Sequence, residues 1–252
     1  MAKDVLIAAK QEIKDRGCGV ANIKRSIGKI LRRNGSALSA IGRKLRPKTL
    51  PTGRIYISGT GRAGTTFLVQ LLTELGLDTG FDGSEIEGAE ATPVYFKSAR
   101  AGFEWDIFDK NGPQIIKSPY LCDNVDAVVA SGISINNIII PVRDFAAAAK
   151  SRAFVQLETT GQSDGDPIAG GLWGVKTASD QEAELRAKLA NLVEACVRND
   201  IPMTFLSFPR FAKDPLYLFE RLVVLFPTLR SEDYLRCFHA VAKAELIHDF
   251  KS

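Results

Sequence analysis

The sequence predicts an α/β fold with a parallel sheet and helices on both faces, three layers over residues 51–252, preceded by a basic helical arm at residues 1–50. Three observations predict it. Short β-branched runs alternate with stretches of helical periodicity, the order that builds a parallel sheet rather than hairpins. A glycine-rich turn joins the first such run to the first helical stretch. The 252 residues are 45% hydrophobic and 25% charged, enough for one large domain with a substantial core. No apolar run nears the roughly 20 residues of a membrane-spanning helix, and Met1–Gly17 lacks the continuous apolar stretch of a signal peptide. The expectation is a cytoplasmic protein.

The arm comes first. Of 33 Lys and Arg, 13 lie in residues 1–50 with only 3 of the 29 Asp and Glu, so the arm is +10 and the rest of the chain −6. Val5, Leu6, Ile13, Val20, Ile23, Ile27, Ile30 and Leu31 recur at three- and four-residue spacing, with Lys24, Arg25, Lys29, Arg32 and Arg33 on much of the other face. Gly35-Ser36 and Pro47–Gly53 interrupt it, the second as linker. Such an arm is a solvated helix, a nucleic-acid arm, or a partner element that docks residues 1–48 on an anionic membrane surface or an acidic protein. No nucleic acid is expected. The membrane reading would place the chain peripherally at the inner membrane surface.

From Arg54 the elements follow in order. Ile55–Ser58 predicts a strand, and Thr65–Leu75 a helix with Phe67, Leu68, Leu71, Leu72 and Leu75 on one side, stopped by Gly76. Ile115-Ile116 predicts a second strand, Asn137–Val142 a third, and Asp144–Phe154 a helix containing four consecutive alanines. Ser179-Asp180-Gln181-Glu182 has the form of a capping box opening a helix to Asn199. Pro202–Ser207 predicts a buried strand and Leu216–Leu225 a helix. Cys18, Cys122, Cys196 and Cys237 are scattered without metal-ligand spacing, so reduced and mostly buried thiols are expected.

The turn Ser58-Gly59-Thr60-Gly61-Arg62-Ala63-Gly64-Thr65-Thr66 carries the chemistry. Glycines let the backbone approach an anion, and a following helix presents unpaired N–H groups and a positive dipole end. Gly59-x4-Gly64 followed by two threonines is the spacing of a phosphate-binding loop. The version that binds ATP or GTP has Lys where Thr65 stands; here the cation is Arg62, on the crown of the loop. Arg143, at the end of the third predicted strand, and Ser151, about two helical turns later, would face the same crevice.

These segments resemble the P-loop sulfotransferases of bacterial type that use 3′-phosphoadenylyl sulfate (PAPS). Gly59–Thr66 is similar to the family's 5′-phosphosulfate loop, with Ala63 replacing the usual small Ser. Ile138–Asp144 with Lys150-Ser151 is similar to its 3′-phosphate site. Lys117-Ser118-Pro119 and Leu206–Arg210 with Asp214-Pro215 resemble less specific family stretches. The likeness runs from residue 54 to about 226. It implies a P-loop nucleoside triphosphate hydrolase-like (sulfotransferase-like) fold and transfer of a sulfuryl group to a hydroxyl or amine of a sugar, lipid or small metabolite. Gly59, Thr60, Gly61, Arg62, Ala63, Gly64, Thr65, Thr66, Arg143 and Ser151 would hold the co-substrate, and Arg62 and Lys117 would stabilise developing charge. No metal is required by this arrangement. The base is not fixed: Pro119 stands where cytosolic members have His, and Glu85, Glu90 or Glu87 would serve as in members with Glu. Two other readings stay open, a P-loop kinase or hydrolase and a non-catalytic nucleotide- or partner-binding protein. Thr159–Trp173 is expected to be a lid or a plain surface loop, and Trp105 and Tyr120 core or pocket lining.

Overall fold

The computed structural model describes residues 53–81, 95–96 and 101–242; the arm, Glu85, Glu87 and Glu90 lie outside them. The elements are β1 (Arg54–Ile57), α1 (Thr65–Glu74), β2 (Tyr95–Phe96), β3 (Ala101–Gly102), β4 (Ile115–Lys117), α2 (Val125–Ala130), β5 (Ile135–Val142) and α3 (Phe145–Thr160). They continue with α4 (Gln181–Arg198), β6 (Met203–Ser207), α5 (Arg210–Lys213), α6 (Pro215–Leu225) and α7 (Ser231–Val241). Four strands form one sheet in the order β4-β1-β5-β6, every pair parallel, while β2 and β3 make a small antiparallel ladder.

Side-chain alternation along β1 makes the layers. Ile55 and Ile57 face a cluster with Leu68, Leu71 and Leu72 of α1, Leu218 and Leu222 of α6, and Tyr234 and Phe238 of α7. Tyr56, between them, faces the other cluster, with Val125 and Val128 of α2 and Leu192 and Cys196 of α4. A period of two on a sheet with both faces apolar requires cover on both sides. Each buried Leu or Ile contributes about 1.5–3 kcal/mol, so these layers set the positions of the strand ends. The Tyr56 hydroxyl donates to the Ile107 carbonyl at 3.0 Å, and burial raises its pKa, so it stays a donor.

Four local expectations need correction. Helix α3 runs six residues past Phe154 to Thr160 although its polar end lacks apolar periodicity. Buried Gln156 explains this: its amide donates to the Asp166 carbonyl and accepts from the Leu172 N–H, so the last turns pack on the following loop. The capping box does not form. Asp180 accepts from the Thr177 hydroxyl, the Ser179 hydroxyl lies 3.5 Å from the Asp180 carboxylate, and α4 starts directly from a short 3₁₀ turn with no side-chain cap. Strand β6 lies at the sheet edge, where Leu206 is buried but Phe205 is 45% exposed, so it is not a buried strand. Helix α7, with Tyr234, Cys237 and Phe238 at helical spacing, was missed because charges flank those residues. Cys122, Cys196 and Cys237 are free and buried, as expected. Among the described residues no helix is long and apolar enough to cross a membrane.

Candidate functional site

Register brings the site together. Ile57, the last residue of β1, pairs with Lys117 at the end of β4 and with Ile139 of β5. The glycine-rich loop therefore leaves the sheet between the carboxyl ends of two neighbours, where ligands of open parallel sheets bind. Gly61 and Gly64 have φ of 67° and 78°, and Arg62 itself is left-handed at 51°. A Cβ on Gly61 would sit 2.6 Å from a guanidinium nitrogen of Arg152, and one on Gly64 would sit 2.8 Å from the Phe211 ring. Both positions thus need glycine for its backbone and for space. Helix α1 starts on Gly64 with no side-chain cap, which leaves the first-turn amides for an anion.

Gly64→Ala should therefore lower stability by more than the roughly 1 kcal/mol of left-handed strain alone, since the aromatic wall must also shift. Urea unfolding measures this. A change within about 0.5 kcal/mol would show that the loop relaxes freely.

Gly59, Gly61, Arg62, Gly64, Thr65 and Thr66 border a cavity of about 590 Å³. The Thr60 and Ala63 side chains do not, being 2% and 0% exposed, so at these two positions a ligand would meet backbone groups. Arg143 and Ser151 line the same cavity and converge on Arg62. Arg143 donates to the Arg62 carbonyl at 3.0 Å, and the Arg62 Nε donates to the Ser151 hydroxyl at 3.2 Å. Asp144 caps α3 by accepting from the Ala147 N–H, which holds the strand–helix turn between Arg143 and Ser151. The Arg143 guanidinium also lies 5.2 Å from the Phe208 ring centroid.

Lys117 is buried and donates to the Gly102 carbonyl and, at 2.6 Å, to the Glu104 carboxylate. Burial pulls its pKa down, Glu104 opposes the fall, and Arg62 and Arg152 add to it. Glu104 lines the cavity and is a site residue that the sequence reading missed: it sits before Trp105 in an aperiodic stretch and belongs to no motif. Tyr120, on the rim, is 62% exposed and lines the cavity, while Trp105 packs against the core.

The second missed residue is Arg152, next to Ser151 and 5% exposed. Its Nη2 donates to the Thr60 carbonyl at 2.8 Å and its Nη1 to the Gly171 carbonyl at 2.7 Å. Adjacency to Ser151 was its only signal. The loop after α3, expected as a lid or a plain surface loop, is held by several hydrogen bonds. Gln156 bonds Leu172 and Asp166, Gln181 bonds the Trp173 N–H and carbonyl, and Asp164 accepts from the Ala178 N–H. The result is a pinned wall that presents Ile168, Leu172 and Trp173 to the cavity.

No family model matches the chain, and no curated protein does. Among solved structures it is similar to the sulfotransferase domain from the Synechococcus PCC 7002 olefin synthase, at 13% identity over 82% of this chain and 84% of that one, with a TM-score of 0.44.

Proposed function

We propose that the chain is a sulfotransferase that takes its sulfuryl group from 3′-phosphoadenylyl sulfate. The observation that carries the reading is the convergence of Arg62, Lys117 and Arg143 on one cavity, around a glycine loop with an uncapped helix start and with Arg152 bonded to the Thr60 carbonyl of that loop, Glu104 being the acidic residue lining the cavity among the described residues. That donor set fits a ligand with two separate anionic groups. The motif likeness of Gly59–Thr66 and Arg143–Ser151 supports a 5′ and a 3′ phosphate respectively.

The co-substrate supplies a sulfuryl group whose bond to the 5′-phosphate oxygen breaks, the electron pair staying on that oxygen, as the acceptor oxygen or nitrogen bonds to sulfur. The protein's part is placement and charge. Loop amides, Thr65 and Thr66 hold the 5′-phosphate. Arg143 and Ser151 hold the 3′-phosphate, so the nucleotide extends from β1 toward β5. In the strand order β4-β1-β5-β6, the transfer point then faces β4, where Lys117 and Glu104 stand. Arg62 and Lys117 stabilise charge on the oxygens around sulfur. Glu104 replaces Glu85 and Glu90 as the base in this reading and takes the acceptor's proton.

Calorimetry tests the assignment. Two charge-assisted contacts of about 1.5–3 kcal/mol in total should make 3′-phosphoadenosine 5′-phosphate bind roughly ten- to a hundredfold tighter than 5′-AMP. Equal affinities would remove the basis of the proposal.

A further inference from the structure

Arg152 is a buried cation without a buried anion. No carboxylate pairs with it among the described residues, and its Nε has no hydrogen-bond partner. Burial, with Arg62 adjacent, pushes its pKa down to about 9, which leaves the guanidinium charged at neutral pH. Removing a charge from water costs several kcal/mol unless something opposite compensates it. What compensates Arg152 is two carbonyl dipoles and the face of Trp173, 5.2 Å from its central carbon. The two carbonyls belong to different structures: Thr60 to the glycine loop and Gly171 to the pinned wall.

Peptide geometry turns this into a link. In a trans peptide the C=O and the next N–H point in opposite directions. With the Thr60 carbonyl aimed at Arg152, the Gly61 N–H is turned away from the guanidinium, as a donor. With the Gly171 carbonyl aimed at Arg152, the Leu172 N–H is turned toward Gln156, to which it donates at 3.1 Å. An anion accepting from the loop polarises the peptide groups behind it and strengthens the bond on the carbonyl side. It also supplies the negative charge that the Arg62–Arg152 neighbourhood lacks.

We infer that Arg152 is a positioning residue that couples an anion in the glycine loop to the 167–173 wall, so that nucleotide binding firms the wall before the acceptor arrives. This rests on the loop being the nucleotide's phosphate site. It assigns Arg152 no contact with the reacting atoms. Tighter acceptor binding with the nucleotide in place is its consequence.

Hydrogen exchange on the full-length chain tests it, with and without 3′-phosphoadenosine 5′-phosphate, in wild type, R152K and R152M. In wild type the nucleotide should slow exchange at the Leu172 and Trp173 amides by about tenfold, an ordinary coupling strength. R152K keeps the charge but reaches one carbonyl only, and R152M reaches neither. Both should still bind nucleotide, about tenfold more weakly at most, while the slowing in the wall disappears. R152K guards against an R152M that fails to fold. Undiminished slowing in R152K and R152M would overturn the inference, as would a wild-type wall indifferent to bound nucleotide. Should wild type not bind the bisphosphate, the sulfotransferase proposal falls by itself. Inorganic pyrophosphate then serves as the loop anion: slowed wall exchange in wild type alone would sustain the coupling, and no response would end it.

Discussion

Replacing Lys117 with Met should slow the release of 3′-phosphoadenosine 5′-phosphate from the phosphosulfate by about a hundred- to a thousandfold, while bisphosphate affinity stays within about tenfold. The assay uses water or an added hydroxyl compound as acceptor. Lys117 sits at the end of β4 and pairs in register with Ile57, directly before the loop, so its ammonium is fixed by the sheet rather than by a flexible segment. It lies 6% exposed among Arg62, Arg152 and Glu104, where burial already works against its charge. A charge held at that cost acts strongly on nearby negative charge because little water screens it. In the proposed reading the loop, Arg143 and Ser151 meet the nucleotide's own phosphates, so most of the loss should fall on the rate. Met keeps the volume of the stem and avoids a cavity. Unchanged release would move the chemistry away from β4. An affinity loss as large as the rate loss would make Lys117 a ground-state binding residue only.

The glycine loop and the strands on either side of it were legible because each has a local cause. Gly59, Gly61 and Gly64 report positive φ, Thr65 opens a helix whose leucines recur every three or four residues, and Ile138–Ile140 is apolar on both faces as a central parallel strand must be. Arg143 and Ser151 were legible only as a spacing across a strand–helix turn, and the structure shows both converging on Arg62. What was not legible depends on distance along the chain. Arg152 and Thr60 are 92 residues apart, and no short pattern marks a guanidinium for a carbonyl that far away. Glu104 and Lys117 face one another only because the segment at 102–105 crosses the end of β4, with the Trp105 N–H bonded to the Lys117 carbonyl at 3.1 Å. Gln156 lay beyond the helix expected to end at Phe154 and Gln181 within the expected capping box, yet both are buried and pin the wall through backbone groups. Polar residues inside a fold take their meaning from partners, and periodicity sees only apolar faces.

Glu104→Gln should produce opposite pH trends in turnover and stability, which separates a base from a merely structural carboxylate. Loss of the proton acceptor should reduce turnover by about a hundred- to ten-thousandfold near neutrality, with bisphosphate affinity little changed. The substitution also removes the group that opposes the burial-driven fall in the Lys117 pKa. Lys117 should then lose its proton at a lower pH than in wild type, and residual turnover should decline earlier on the alkaline side. The stability trend has the other sign. Lys117 titrates in the folded chain below its unfolded value, so between those two pKa values the unfolded state binds more protons and stability rises with pH. In E104Q the folded value is lower still, so the window opens earlier. The variant should be less stable than wild type near neutrality, and this deficit should shrink as pH increases. Thermal melts and phosphosulfate turnover, measured on the same samples from neutral to alkaline pH, read both trends. Turnover equal to wild type would remove Glu104 as the base. A deficit in stability that grows with pH would show that the Lys117–Glu104 pair is not what holds the ammonium charged.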